Sequence, residues 1–203
     1  MKYLIMCGGP TCRWAVPKHL YLYEGKHIVE RTVGLLQDYG VEDIAITTSP
    51  AWAETYEKFG VEVISYDARG AWVNAFYPTD EPVCYMMGDV VYSPEAIKKI
   101  VDTETSSIEF FASAPPFARE YPKPYAEPFA FKVVNQKRFR ECIEKTKELN
   151  RAGVWYRHPG SWELWQIIKG TSINRIDYTN YVVINDYTCD VDYESELDQW
   201  QNT

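Results

Sequence analysis

Short apolar runs alternate with amphipathic segments along the first third of the chain. Apolar and β-branched residues predict buried strands at 3–7, within 41–48 and at 61–65. Apolar residues at helical spacing predict helices over 28–39 and 51–59, and a glycine follows each of them. Strands separated by helices in this way are typical of a parallel sheet with helices packed on it. We therefore expect an α/β fold with three layers, α/β/α, and a mostly parallel mixed sheet.

The rest of the chain continues this pattern with fewer signals. Further strands are predicted within 83–87, 108–113, 129–134 and 181–184, and a charged helix over 137–152. Ser93 and Pro94 are typical of a helix cap and a first helical turn, so a helix is predicted to begin there. The segment 114–128 holds five of the twelve prolines and is predicted to be an irregular loop.

Length and composition limit the classes of protein. At 203 residues the chain suits one domain over 1–203. The net charge is −8 and no basic run exceeds two residues, which argues against a nucleic-acid partner. The five cysteines form no CxxC pair, which predicts reduced thiols in a cytoplasmic protein and disfavours zinc. No apolar run reaches 18 residues, so we expect no membrane partner.

The first candidate site follows the first predicted strand. Gly8 and Gly9 stand at its end, and Arg13 and Lys18 come shortly after. Glycines let main-chain N–H groups converge on an anion, and the two cations add positive charge on the same segment. The pattern favours a phosphate-binding loop, although it has neither the dinucleotide spacing GxGxxG nor the P-loop spacing. The alternative is an ordinary strand-to-loop turn with two solvated cations.

The second candidate site is a carboxylate at the end of another strand. The apolar run 83–87 is followed by Gly88 and Asp89, which places the Asp89 side chain at the edge of the sheet. A carboxylate buried there requires a cation beside it. We predict that Asp89 is a Mg²⁺ ligand, and the alternative is a turn or helix-capping aspartate.

The opening of the chain resembles the nucleotidyltransferases of the sugar-1-phosphate type. Their pattern is a strand, GG-x-G-[ST]-R, P-K-x-L and then G-K-P-[LI]-[LIV]-E-[RH]-[TV]. Twelve positions match in order: Gly8, Gly9, Arg13, Pro17, Lys18, Leu20, Gly25, Lys26, Ile28, Glu30, Arg31 and Thr32. Thr11, Cys12 and His27 depart from the pattern, and Thr11 replaces the third glycine of the loop.

The resemblance implies roles for several of these residues. It implies that Gly8 and Gly9 wrap a nucleoside triphosphate, that Arg13 and Lys18 hold phosphates as catalytic residues, and that Asp89 binds the divalent ion. A small-residue segment of the family that contacts the base corresponds to Gly70, which otherwise is a simple turn residue.

The end of the chain resembles the acidic close of the same family, D-[IV]-D-T-x-x-[DE]-L. Asp190, Val191, Asp192, Glu196 and Leu197 match it. The resemblance implies that Asp192, with Asp190 beside it or behind it, completes the metal site. The alternative is an acidic helix start, in which Asp190 or Asp192 caps a helix from Glu194 onward.

The resemblance implies a nucleotidyltransferase that moves a nucleotidyl group from a nucleoside triphosphate to a small phosphorylated acceptor with Mg²⁺. We expect the nucleotide-binding half over about 1–112 and the acceptor-binding half over about 113–203. We expect the acceptor to be a sugar phosphate or a phosphocholine-like ester, and the aromatic-rich segment 153–165 is its candidate site, with core packing as the alternative. The short chain favours a small acceptor and CTP. A molybdopterin-type acceptor, a non-catalytic nucleotide-binding regulator and a homodimer stay open.

Overall fold

The computed structural model describes residues 1–8, 16–115, 126–155 and 158–193 of the chain. The strands are β1 Lys2–Cys7, β2 Leu22–Tyr23, β3 Lys26–His27, β4 Ile44–Thr48, β5 Glu62–Ser65, β6 Val83–Met87, β7 Val90–Val91, β8 Ile108–Ser113, β9 Pro128–Val133, β10 Val182–Ile184 and β11 Cys189–Asp190. The α-helices are α1 Ile28–Asp38, α2 Ala53–Tyr56, α3 Pro94–Asp102, α4 Gln136–Arg151 and α5 Ser161–Lys169.

Seven strands form one mixed sheet in the order β10-β8-β9-β6-β1-β4-β5. β1 pairs in parallel with β4 and β6, β4 with β5, and β8 with β10, whereas β9 runs antiparallel to both of its neighbours. β1 and β6 are buried along almost their whole length, as expected of strands covered on both faces. The predicted α/β fold with a mostly parallel mixed sheet is confirmed.

One face of the sheet carries an aromatic layer under α4 and α5. Tyr85 of β6, Phe131 of β9 and Phe110 of β8 are partners across the strands and so point to the same face. Tyr85 stacks on Phe139 of α4 with ring centroids 5.6 Å apart, and Phe110 meets Trp162 of α5 at 5.0 Å. These contacts fix both helices to this face.

The opposite face is covered by α1 and α3, which contact each other. Lys132 of β9 points to this face, and its ammonium group donates to the carbonyl oxygens of Val101 and Thr103 at the end of α3, at 3.0 and 2.7 Å. It also lies 5.9 Å from the ring centroid of Tyr3 on β1. The sheet is therefore the middle layer of three.

Several elements differ from those predicted. The helix predicted over 51–59 is a single α-helical turn, α2, between the 3-10 turns Pro50–Trp52 and Glu57–Phe59. The hairpin β2–β3 and the small antiparallel sheet β7–β11 were not predicted, because strands of two residues have no detectable periodicity. Within the ranges given above, no helix is long and apolar enough to cross a bilayer.

Candidate functional site

A cleft of about 660 Å³ opens at the carboxyl ends of β1 and β6. It lies where the strand order changes direction. From β1 the chain adds β4 and β5 on one side of the sheet, and β6 is then added on the other side of β1. Ligands of open α/β sheets bind at such reversal points. The segments 17–19, 67–72 and 87–89 contribute most of the wall.

Gly88 allows the end of β6 to lie directly against β1. A Cβ atom at this position would stand 2.5 Å from the carbonyl oxygen of Met6 and 2.7 Å from the sulfur of Cys7. The Gly88 N–H instead donates to that Met6 oxygen at 3.1 Å. The residue that follows, Asp89, is thereby placed at the mouth of the cleft.

Three charged side chains converge at this mouth, and we call them the Lys18 cluster: Lys18, Asp89 and Asp192. The Lys18 Nζ lies 2.6 Å from Asp89 Oδ2 and 3.8 Å from Asp192 Oδ1, and it donates to the carbonyl oxygen of Val191 at 3.0 Å. The three side chains are 23 to 29% exposed, so they remain accessible to a ligand. The structure therefore brings together a cation and two acids that are far apart in the sequence.

The small sheet β7–β11 joins the two acidic segments. Asp190 pairs with Val90 and Cys189 with Val91. The strand β7, which follows Asp89, is thereby joined to the strand β11, which precedes Asp192. The Val191 N–H donates to the carbonyl oxygen of Asp89 at 2.9 Å. This hydrogen bond fixes the backbone beside both carboxylates of the cluster.

The charges of the cluster stabilise one another. Burial alone would lower the pKa of Lys18, but the attraction of the nearby carboxylates, Asp89 first among them, outweighs it and raises that pKa. Burial would likewise raise the pKa of Asp89, but Lys18 outweighs it and holds that pKa below its ordinary value. Both groups are therefore ionised at neutral pH.

The same acids fit a hard divalent cation. Asp89 and Asp192 direct carboxylate oxygens at one point where a cationic group already sits, and oxygen ligands are those that Mg²⁺ prefers. Asp190 is placed differently, since its carboxylate lies with Glu127 and Cys189 in a group whose ligand atoms are within 4.8 Å of one another. Asp192 Oδ1 lies 3.8 Å from Lys18 Nζ, and the charges of both acids, Asp190 and Asp192, raise the pKa of Lys18.

Of the remaining predicted site residues, the two glycines that the structure describes, Gly8 and Gly70, both line the cleft. Gly8 lines the cleft, and a Cβ atom there would meet Ala68 at 3.6 Å, an ordinary contact. Gly70 also lines it, with a φ of +104° that favours glycine. Gly9 and Arg13 lie outside the described residues.

His19 is a buried neighbour of the cluster whose role the sequence did not reveal. It follows Lys18 in a 3-10 turn, lines the cleft, and its Nδ1 lies 2.9 Å from the hydroxyl of Tyr56. Burial lowers the pKa of His19 to about 4, against an opposing effect of Asp89. The ring is therefore neutral at pH 7 and anchors the turn that presents Lys18.

The far wall of the cleft carries two tryptophans and an ion pair. Trp52 follows β4 and Trp72 follows β5, both are half-buried, and both line the cleft on the side of β1 away from Asp89. Beside them, Arg69 donates to both carboxylate oxygens of Asp67, at 2.6 to 2.9 Å. No pattern in the sequence distinguished these two tryptophans from core residues.

The two tryptophans of α5, at the end of the aromatic segment 153–165, belong to the core. Trp162 and Trp165 are 8% and 4% exposed and pack on Phe110. Glu163 accepts a hydrogen bond from the Gly160 N–H at 2.8 Å and so caps the first turn of α5. The rings of Trp162 and Trp165 therefore follow the core-packing alternative, and the position of the acceptor stays a prediction.

Much of the opening motif serves structure. Gly25 has a φ of +77° in the turn between β2 and β3, Glu30 accepts from the His27 N–H at 3.3 Å at the start of α1, and Arg31 donates to the carbonyl oxygen of Tyr92. Thr32 donates to the Ile28 carbonyl oxygen at 3.1 Å. These residues hold α1 and the turn at 18–20 in place beside the cleft.

Residues 3–158 match the family described as the MobA-like NTP transferase domain. The chain belongs to this family of nucleotidyltransferases. A search of curated proteins found no relative that matches the chain.

Three solved structures have folds similar to that of this chain. The inositol-1-phosphate CTP transferase from T. maritima superposes with a TM-score of 0.60 at 16% identity, covering 96% of this chain and 90% of that one. A putative glucose-1-phosphate thymidylyltransferase from Bacillus anthracis gives 0.60 at 15% identity, covering 98% and 93%. The CTP:phosphocholine cytidylyltransferase LicC from Streptococcus pneumoniae gives 0.58 at 12% identity, covering 99% and 97%. At these identities the likeness establishes the fold.

Proposed function

We propose that the protein transfers a cytidylyl group from CTP to a small phosphorylated acceptor, a sugar phosphate or a phosphocholine-like ester, and releases pyrophosphate with Mg²⁺. The observation that carries this proposal is the convergence of Lys18, Asp89 and Asp192 within 4 Å at the mouth of a cleft large enough for a nucleotide. A cation and two metal-binding acids are what two phosphate-bearing substrates need in order to approach each other.

The chemistry needs no covalent enzyme intermediate. An anionic oxygen of the acceptor phosphate attacks the α-phosphorus of the triphosphate, a new P–O bond forms, and the bond to the β-phosphate breaks so that pyrophosphate leaves. The protein has to hold two anions in line and spread the growing charge. Lys18 supplies a positive charge that the neighbouring acids keep ionised, and Arg13 is the second cation that the family resemblance implies. Mg²⁺ bound through Asp89 and Asp192 would neutralise phosphate oxygens at the reacting centre.

The cleft also suggests how the nucleotide is oriented. With its phosphates at the Lys18 cluster, its base reaches the side formed by Trp52, Gly70 and Trp72. Indole rings stack on heterocyclic bases, and the Asp67 carboxylate at the rim is an acceptor for base amino groups. We place the base at this wall and the acceptor on the side of the second half of the chain, 113–203.

The choice of donor and acceptor draws on the solved structures. Two of the three described above carry CTP in their names, and their acceptors by name are inositol 1-phosphate and phosphocholine. Both acceptors are small phosphate esters, which agrees with a cleft that must also hold a triphosphate. The molybdopterin-type acceptor has no such support.

A pyrophosphate-release assay tests the proposal. The purified protein is incubated with Mg²⁺, each of CTP, dTTP, UTP, ATP and GTP, and each of inositol 1-phosphate, glucose 1-phosphate and phosphocholine. We expect release above background for at least one acceptor, fastest with CTP, and loss of release on chelation of the metal. Nucleotide binding without release for every pair would instead identify a non-catalytic nucleotide-binding regulator.

A further inference from the structure

The ammonium group of Lys18 lies among oxygen atoms of the kind that bind hard metal ions. It is surrounded by the carboxylates of Asp89 and Asp192 and by the carbonyl oxygen of Val191, at 2.6, 3.8 and 3.0 Å. Two carboxylates and a main-chain carbonyl are a ligand set of the kind that binds hard divalent cations. The nitrogen of the lysine and a metal ion therefore compete for the same oxygens.

We infer that Lys18 is the internal counter-cation of the metal site: it holds Asp89 and Asp192 together in the ligand-free protein and must leave them when a divalent ion binds. This inference rests on the proposed function, which makes these two acids the metal ligands. It makes Lys18 a positioning residue for the acids before it meets a substrate.

The electrostatics of the ligand-free site require such a cation. Two carboxylates that point at one spot repel each other, and partial burial raises the free energy of that repulsion. The ammonium of Lys18 removes it and is the nearest cation to Asp89 among the ion pairs of the described residues. A divalent ion placed among the same oxygens would be repelled by the ammonium. Each cation therefore weakens the binding of the other to these oxygens.

The flexible stem of lysine lets the ammonium leave. A lysine carries a compact charge on four methylene groups with three donors, so it can turn from the acids to a phosphate group while its backbone stays in the 3-10 turn Lys18–Leu20. A triphosphate would give the displaced ammonium a new anionic partner. Metal and triphosphate should therefore bind with positive coupling, and that coupling should be reciprocal.

Titration with Mn²⁺ alone, followed by the loss of its free EPR signal, tests the inference without any turnover. The titration compares the wild-type protein, Lys18→Met, Lys18→Arg and Lys137→Met, a matched loss of charge at an exposed position on α4. We expect Lys18→Met to bind Mn²⁺ about tenfold more tightly than the wild type, since a competing charge has gone. Lys137→Met and Lys18→Arg should stay within about twofold of the wild type.

Thermal unfolding separates this effect from damage to the fold. Lys18→Met should melt at a lower temperature than the wild type without metal, because the two acids then lack a cation, and Mn²⁺ should raise its melting temperature by more than it raises that of the wild type. If Lys18→Met melts in a cooperative transition and yet binds Mn²⁺ more weakly than the wild type, the inference is overturned.

The acid variants distinguish failure of the inference from failure of the proposed metal site. If Asp89→Asn and Asp192→Asn lose Mn²⁺ binding but Lys18→Met binds it no more tightly than the wild type, the metal site stands and the counter-cation role is wrong. If both acid variants bind Mn²⁺ like the wild type, the metal assignment is wrong and the inference is overturned with it.

Discussion

Tryptophans in the two halves of the chain have opposite roles. Trp52 and Trp72, in the first half, are half-buried and form a wall of the cleft. Trp162 and Trp165, in the second half, are almost fully buried against Phe110. In the sequence the dense aromatic segment was a candidate binding surface with core packing as the alternative, whereas in the structure the isolated Trp52 and Trp72 line the cleft.

The difference follows from the elements that carry these residues. Trp162 and Trp165 are on α5, which covers the sheet, and a helix on a sheet turns its large apolar side chains to the core. Trp52 and Trp72 are in 3-10 turns that follow β4 and β5 at the cleft edge of the sheet. Position at the end of a strand therefore decides accessibility, and aromatic density does not.

The largest effect that we expect is a loss of stability when a buried tryptophan of α5 is removed. Trp162→Ala should lower the free energy of unfolding by about 3–5 kcal/mol, because it removes a large buried side chain and the hydrogen bond from its indole to the Ala126 carbonyl oxygen. Urea unfolding measures the loss. Under conditions where the variant is folded, its affinity for CTP should match that of the wild type. A variant that stays stable but binds CTP weakly would show that α5 belongs to the site.

Activity should respond most to the Lys18 cluster. Asp89→Asn should lower kcat/KM for nucleotidyl transfer about 10²–10³-fold, because it removes a charge-bearing group at the reacting centre. Pyrophosphate release measures it. Asp102→Asn is the matched control, since Asp102 is an exposed acid at the end of α3 that pairs with Lys98, and it should leave the rate unchanged. Equal rates for both variants would remove Asp89 from the reaction.

The sequence predicted the parts of the molecule that depend on local pattern. The buried strands and the amphipathic helices α1 and α4 have strong periodicity, and the opening motif identified the family. The spatial meeting of Lys18 with Asp89 and Asp192 followed from the resemblance, and the roles of these residues stay proposals.

The sequence did not show which motif residues are structural, nor which residues meet over long distances along the chain. The motif residues Gly25, Glu30 and Arg31 matched a functional pattern, but in the structure they form a turn, a helix cap and a contact to the backbone of Tyr92. A match to a family pattern does not separate residues that touch a substrate from those that hold the scaffold. His19 was missed for a different reason, since its partner Tyr56 is 37 residues away.

The pH dependence of stability tests whether the turn that presents Lys18 depends on a neutral His19. Burial lowers the pKa of this ring from 6.5 to about 4, with Asp89 opposing and Lys18 assisting. Between those values the unfolded chain binds more protons than the folded one, so stability falls as the pH falls from 6.5 towards 4. The full contribution is about 3 kcal/mol.

His19→Gln isolates this contribution from those of other titrating groups. The glutamine side chain is also able to bond to the Tyr56 hydroxyl but does not titrate in this range. Urea unfolding of both proteins at pH 7, 6, 5 and 4 should show a shallower loss for the variant. Parallel curves would mean that folding does not lower the pKa of His19, and the burial argument would be wrong.

The smallest expected effect is on the affinity for CTP, and it concerns Trp72, one of the two tryptophans that line the cleft. Trp72→Leu keeps an apolar side chain against Phe76, which the indole meets at a centroid distance of 5.3 Å, but it removes the flat ring from the cleft. If the base stacks on this wall, the Kd for CTP should rise about tenfold, or about 1.4 kcal/mol, while stability changes by less than it does in Trp162→Ala. Isothermal titration of CTP measures the first quantity and urea unfolding the second. Since a ring that serves only packing would change stability alone, an unaltered Kd would move the base to another part of the cleft.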